Sequence, residues 1–289
     1  MTRAWVAVVG SANLDIVITV QRIPAPGETV LGERLDEVAG GKGLNQAIAA
    51  ARHQPVAFIG CLGADAPAQL LESALTRSGV DVTHLQRSDG PTGRAFIPVA
   101  ADGENSIVVL PLANGDLESA HVLAALDEIN PAVVLTQLEV PLEVVTEVAA
   151  WAESHGVRLV LNPSPVTDLA RSLLACCDPL VLNASEATAV LAAVGERGAS
   201  SPQQAAAALA LLTRAVVVTD GSRGAWVGRG ERIDHVPVAA VKARDTTGAG
   251  DAFAGVLAAH LADGAELVDA AGLANQAAAA LVQVPRDQR

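Results

Sequence analysis

Asp251 closes the stretch Asp245-Thr246-Thr247-Gly248-Ala249-Gly250-Asp251 and opens an apolar run, Ala252 to Leu261. The residue types describe a small-residue turn feeding a helix that carries a carboxylate in its first turn. Glycine and alanine leave the N–H groups of Gly248, Ala249 and Gly250 uncovered there. Such groups lack helical partners, and the helix dipole favours negative charge beside them, so they bind anions. A neighbouring carboxylate can take a proton from an incoming nucleophile. Phosphoryl transfer needs that pair, since its catalysis is mostly positioning and charge stabilisation. The same seven residues also suit a plain helix cap after a glycine turn, and alone they leave both readings open.

Gly40-Gly41-Lys42-Gly43 opens another helix, with Asn45 in its first turn. Glycines there let backbone approach a ligand closely. Gly43 stands where a Walker A motif needs Ser or Thr, and no strand is followed by G-x-G-x-x-G, so neither a P-loop nor a dinucleotide fingerprint is present. Asn13 and Asp15 are two apart and share one side of an extended chain. They offer an amide and a carboxylate for adjacent hydroxyls, or an ordinary polar strand edge.

The elements that must position these groups follow from periodicity. Trp5–Val9 reads as a buried strand, Val30–Val38 as extended, Leu44–Arg52 as a helix, Pro55–Ile59 as a strand and Ala66–Ser78 as a helix. Thr92–Val99 and Ser106–Leu110 flank an Asp-Gly hairpin signal. With the segments near 15–20 and 30–38, they predict a small antiparallel sheet apart from the main one. From about residue 116, strands at 132–136, 158–161, 179–182 and 215–219 alternate with helices at about 117–128, 141–154, 167–175, 185–194 and 202–212. Two short strands (225–228 and 232–236) and a final helix over about 266–283 complete the pattern. Alternation predicts an α/β fold: a mostly parallel central sheet with helices on both faces. Ligands of such sheets bind beyond the carboxyl ends of the strands. Those ends carry Asn13 with Asp15, Gln137 with Glu139, Asn162, Asn183 with Glu186, and Thr219 with Gly221. Asn183-x-x-Glu186 is equally a capping signature.

Composition narrows the classes. The 289 residues are 51% hydrophobic but only 2% aromatic, with no tyrosine, so Val, Leu, Ile and Ala must build the core. A formal charge of −13 argues against nucleic acid or an anionic membrane as main partner. Cys61, Cys176 and Cys177 form neither a disulfide framework nor a zinc spacing. No leader or membrane-length apolar run is read, and a cytoplasmic protein is expected. The six histidines are scattered, and none is assigned a ligand role.

Gly40-Gly41-Lys42-Gly43-Leu44-Asn45-Gln46-Ala47 and Asp245–Asp251 resemble the two signatures of the ribokinase/PfkB carbohydrate kinase family. Asn13-x-Asp15, Pro26-Gly27-Glu28-Thr29, Gln137-Leu138-Glu139, Asn162-Pro163-x-Pro165, Asn183-x-x-Glu186 and Thr219-x-Gly221-x-x-Gly224 fall in the family's order. The resemblance covers nearly the whole chain. It implies a ribokinase-like three-layer α/β/α domain over 1–289, with a β lid from about 14–39 and 92–111. It implies an ATP-dependent kinase for a sugar, D-ribose first, with fructose, deoxyribose or pseudouridine as alternatives. Asp251 would be the base, and the N–H groups of Gly248, Ala249 and Gly250 would hold the transferring phosphoryl. Asn13, Asp15, Gly41, Lys42, Asn45 and Glu139 would hold the sugar. Asn183, Glu186, Thr219, Gly221, Gly224 and Asn275 would serve ATP, with Glu186 acting indirectly on magnesium. Asp245 and Thr247 would bind a monovalent cation, usually potassium, and lids would pair into a homodimer. The chain departs from the family at Leu112 and Ala68, where glycine is common, and at Val284-Pro285-Arg286-Asp287-Gln288-Arg289, where the family usually continues with a segment completing the cation site. That last departure sets potassium apart from the other expectations. A non-catalytic sugar-binding relative is the competing class; retention of Asp251 and Gly248-Ala249-Gly250 argues against it.

Overall fold

The computed structural model describes residues 5–196 and 198–285. In chain order the first half holds β1 (Val6–Val9), β2 (Asn13–Val20), β3 (Gly32–Gly40), α1 (Lys42–Ala51), β4 (Val56–Ile59), β5 (Cys61–Leu62), α2 (Ala66–Arg77), β6 (Gln86–Arg87), β7 (Gly93–Ala100), β8 (Val108–Leu110) and α3 (Ser119–Ile129). There follow β9 (Val133–Gln137), α4 (Leu142–His155), β10 (Arg158–Asn162), α5 (Arg171–Cys176), β11 (Cys177–Asn183), α6 (Ala184–Ala193), α7 (Pro202–Leu209), β12 (Val216–Thr219), β13 (Ala225–Arg229), β14 (Arg232–Val236), α8 (Ala249–Ala262) and α9 (Leu267–Leu281).

The main sheet has the order β14-β13-β12-β11-β10-β9-β1-β4. From β4 to β12 all neighbours are parallel, and β13 and β14 add an antiparallel edge. Strands such as Val6-Ala7-Val8-Val9 are buried along their whole length, as strands covered on both faces must be. One apolar layer packs α1, α2, α8 and α9 on one face. The other layer packs α3 to α7 on the opposite face. The chain leaves β1 for β4 on one side and returns through β9 to β12 on the other. That reversal opens a crevice at the carboxyl ends beside β1 and β9, where such folds bind ligands.

The second sheet has the order β3-β2-β7-β8. It is mixed, not antiparallel throughout as expected from the sequence. β2 pairs antiparallel with β3, and β7 with β8, but β2 and β7 run parallel from Asn13↔Gly93 to Val20↔Ala100. Hairpin signals govern only neighbours in sequence. β2 and β7 are separated by an excursion through the main body, and both leave the same rim in the same direction. The short β5–β6 pair had no visible sequence signal. Other element boundaries move by a few residues: α1 starts at Lys42, α5 at Arg171 and β8 at Val108. The three cysteines are free thiols. Among the described residues no helix is long and apolar enough to cross a membrane.

Asp65 ties the start of α2 to the start of β7. Its Oδ1 accepts the Ala68 N–H at 3.2 Å and the Thr92 hydroxyl, and its Oδ2 accepts the Thr92 N–H at 3.1 Å. Burial pushes this carboxyl up, but the Thr92 and Ala68 hydrogen bonds and Arg94 outweigh it, and the net position is below the ordinary aspartate range. Asp65→Ala is expected to cost about 1–2 kcal/mol in urea unfolding at neutral pH. A depressed folded value means that this stability is present above the ordinary carboxylate range. It is lost as pH falls through the folded value, so the gap between the two proteins should close in acid. Leu112 adopts φ 48°, which explains why glycine suits that position in the family's pattern.

Candidate active site

Asp251 lies in the first turn of α8 and is 9% exposed. Its Oδ1 accepts Gln46 Nε2 at 3.0 Å, and its Oδ2 faces Asn45 Nδ2 at 3.4 Å. Both amides come from α1, whose glycine-rich start brings it against the end of β1. At Gly41 φ is 91°, a backbone region that side chains rarely adopt, and a Cβ there would meet Asn13 N at 2.8 Å. The turn therefore needs glycine. Burial raises the Asp251 carboxyl above the ordinary aspartate range. Lys42 and the Gln46 hydrogen bond oppose that, Glu139 adds to it, and Asn45 opposes it again. A carboxyl raised in this way is suited to taking a proton.

A cavity of about 200 Å³ is lined by Asp251, Lys42, Asn162, Val181, Leu182, Asn183, Glu186, Thr219, Gly248 and Gly250. The sequence-predicted base, anion turn and nucleotide side chains are thus brought together. Gly248 and Gly250 line it, and between them the Ala249 N–H closes a turn on Thr246 O at 3.2 Å.

Asn183 and Glu186 form a capping box on α6: Asn183 Oδ1 accepts the Glu186 N–H at 2.9 Å, and Glu186 Oε2 accepts the Asn183 N–H at 2.9 Å. The capping and cavity readings hold together, since the box fixes both side chains on the cavity wall. Thr219 ends β12 on the same wall. Gly221 and Gly224 shape the loop beyond it, with φ 55° and 96°. Asn275 lies apart, buried on α9, where Nδ2 donates to Val236 O at 3.0 Å.

The remaining predicted groups lie around the end of β1. Asn13 and Asp15 are buried at the start of β2, and the Asp15 carboxylate abuts Gly40. Glu139 Oε2 accepts the Lys42 N–H at 3.1 Å and the Ser11 hydroxyl. Asn114 Oδ1 accepts the Ala12 N–H at 3.0 Å, and its Nδ2 donates to Asn13 Oδ1 at 2.7 Å. Ser11 and Asn114 were not singled out from sequence.

Among the described residues no three His, Cys, Asp or Glu side chains stand together as a metal cage. Glu186 and Asn183 do put oxygen donors on the cavity wall, which fits magnesium carried in with phosphates. Asp245 and Thr247 sit in one loop, with Asp245 Oδ1 accepting the Thr247 N–H at 2.8 Å. The N–H groups of Arg244 and Asp245 tie that loop to Val282 O at 2.8 and 3.2 Å. Such oxygen donors fit a hard monovalent cation. Of the Val284–Arg289 segment, where the sequence departs from the family at its cation-site end, Arg286 to Arg289 lie outside the described residues.

The family model described as pfkB family carbohydrate kinase matches residues 3–289. The chain is 36% identical to ribokinase of Bacillus subtilis, covering 94% of this chain and 91% of that protein. It is 38% identical to ribokinase of Haemophilus influenzae, covering 88% and 84%. Among solved structures, it resembles ribokinase of Thermotoga maritima with a TM-score of 0.89 and 32% identity, covering 98% of this chain and 94% of that one. Arabidopsis thaliana ribokinase complexed with ribose and ATP gives a TM-score of 0.85 and 31% identity, with coverage of 98% and 94%. With the matched model spanning the described fold and both signature turns, the chain belongs to the pfkB family of carbohydrate kinases.

Proposed function

We propose that this chain transfers the γ-phosphoryl group of ATP to the primary (5-) hydroxyl of D-ribose, giving ribose 5-phosphate and ADP. The observation that carries the chemistry is the shared cavity, with a buried carboxyl, Asp251, beside Gly248 and Gly250 and opposite Asn183, Glu186 and Thr219. Ribose as the sugar is supported by the relatives named ribokinase and by the complex with ribose and ATP.

In this reading Asn13, Asp15, Gly41, Lys42, Asn45 and Glu139 grip the sugar and aim its primary hydroxyl at Asp251. The hydroxyl oxygen attacks the γ-phosphorus, its proton passes to Asp251, and ADP leaves. The helix start at Gly248–Gly250 holds the negative charge of the transferring group. Asn183, Glu186, Thr219, Gly221, Gly224 and Asn275 serve the nucleotide. Magnesium, when bound, neutralises phosphate charge, with Glu186 placed to act on it indirectly. Asp245 and Thr247 would hold potassium. The chain acts as one kinase domain over 1–289, and the second sheet, about 14–39 and 92–111, covers the sugar. Leu31, Leu35, Ile107 and Val108 leave much apolar surface exposed on that sheet, which supports pairing of two copies through it. A cytoplasmic setting suits the substrates.

ADP release tests this. Ribose with Mg-ATP should release ADP faster than fructose, deoxyribose or pseudouridine, and potassium should raise the rate. No release with any sugar, alongside sugar binding by calorimetry, would replace the kinase with a binding protein.

A further inference from the structure

A line of buried amides runs behind the base. Asn162 Nδ2 donates to Val181 O at 3.0 Å, Gln46 Nε2 donates to Asn162 Oδ1 at 3.2 Å and to Asp251 Oδ1 at 3.0 Å, and Gln137 Nε2 donates to Gln46 Oε1 at 2.7 Å. Gln46, Gln137 and Asn162 are all buried. Amide nitrogen and oxygen differ little in shape, so what fixes their orientation is the chemistry of their partners. A backbone carbonyl can only accept. Val181 O therefore demands the nitrogen of Asn162, which turns Asn162 Oδ1 toward Gln46. That oxygen in turn demands the Gln46 nitrogen, whose second N–H then falls on Asp251. Gln137 holds the far side by donating to Gln46 Oε1.

The order of the line is costly at its end. Gln137 Oε1 is buried with no hydrogen-bond partner among the described residues. It is packed so close to Gly10 that a Cβ there would lie 2.1 Å from it. An unpartnered buried acceptor costs the fold stability. Stability alone would favour an apolar side chain at Gln137, so the amide is explained by what it orients.

We infer that Gln46, locked by Gln137 and Asn162, is a positioning residue that occupies Asp251 Oδ1 and so turns Oδ2, which among the described residues meets only the longer 3.4 Å contact from Asn45 Nδ2, toward the sugar hydroxyl. This rests on the kinase reading. The fixed N–H also favours the charged carboxylate against the burial that opposes it. The charged groups facing Asp251 are Lys42 from α1 and Glu139 beyond β9. Arg158 and Asp178, on the β10 and β11 strands under α8, pair with each other at the amino-terminal ends of those strands. His260 lies in the last turn of α8, beside His53.

The test uses Gln46→Met and Gln137→Met, each close to glutamine in length, in the full chain with ribose and Mg-ATP. An inactive wild type would mean that the kinase reading has failed; with an active wild type the result concerns Gln46 alone. Gln46→Met should lower kcat by about 10²-fold, the usual cost of a misplaced reacting group. KM for ribose should change little, and the acid limb of the kcat/KM profile should move to higher pH, because a bond that lowered the base is gone. Gln137→Met leaves Gln46 in place but frees its amide to turn, and should move the same limb in the same direction by less. It also keeps the test open if Gln46→Met does not fold. An unmoved acid limb in a folded variant, or a rise in KM alone, overturns the inference.

Discussion

Asp251→Asn loses turnover by about 10²–10⁴-fold, the range for removal of a general base, while its Tm at neutral pH equals or exceeds that of the parent. The two halves of this result have one cause. The site buries a carboxyl in a cavity wall, and burial disfavours its charged form more than Lys42, Gln46 and Asn45 restore it. A raised folded value means that the native state holds the proton more tightly than the unfolded chain. The stability from Asp251 is then fully present below the ordinary aspartate range, and it is lost as pH rises through the folded value. At neutral pH the carboxylate is a burden on the fold. Asparagine keeps the shape and an acceptor for Gln46 without the charge. ADP release and a thermal melt, read on the same preparation, check both halves. Undiminished turnover in Asp251→Asn would remove the base from the mechanism.

Gly255→Ala is expected to damage both stability and rate. In a helix interior alanine is intrinsically better than glycine by about 1 kcal/mol, so propensity alone predicts a gain. Packing decides otherwise. A Cβ at Gly255 would stand 2.3 Å from Gln46 O, 2.9 Å from Ala49 Cβ and 3.1 Å from Ala50 N. Two of these neighbours are main-chain atoms of α1 that cannot move without the helix. The strain should cost about 1–3 kcal/mol net. Parting α1 from α8 also draws Asn45 and Gln46 away from Asp251, and a shift of about 1 Å in such a constellation costs on the order of 10²-fold in rate. Urea unfolding and kcat should therefore fall together. A stabilised, fully active Gly255→Ala protein would mean that the two helices separate freely.

The parts of this molecule legible in its sequence are those set by local chemistry. Val6–Val9 and Val216–Thr219 read as buried strands because apolar runs bounded by turns admit little else. Gly40–Gly43 and Gly248–Gly250 read as turns that let backbone approach a ligand, though the second alone suited a plain helix cap equally well. The polar strand ends could be placed on one rim once the alternation implied a parallel sheet. Long-range arrangement was not legible. The parallel pairing of β2 with β7 depends on where the chain re-emerges from the body, which no local pattern encodes. Gln46 stood in a signature without a role, and Asn114 and Ser11 looked ordinary, because their roles come from partners between 32 and 205 positions away. The left-handed φ of 76° at Gly248 and the Ala249 N–H bond to Thr246 O are backbone details invisible in residue types.

The clamp around the first residues of β2 has a mechanical consequence. Asn13 is held by Asn114 and pressed by Gly93, where a Cβ would come within 2.3 Å of its Oδ1. Asn13, Leu14 and Asp15 are buried, and burial loosens only from Ile16 to Thr19. If the second sheet covers the sugar as proposed, a swing of it would hinge beyond Asp15, leaving Asn13 and Asp15 fixed to the body. In the proposed reading, selection among sugars and the speed of opening would then be separate properties, set by different stretches of one strand.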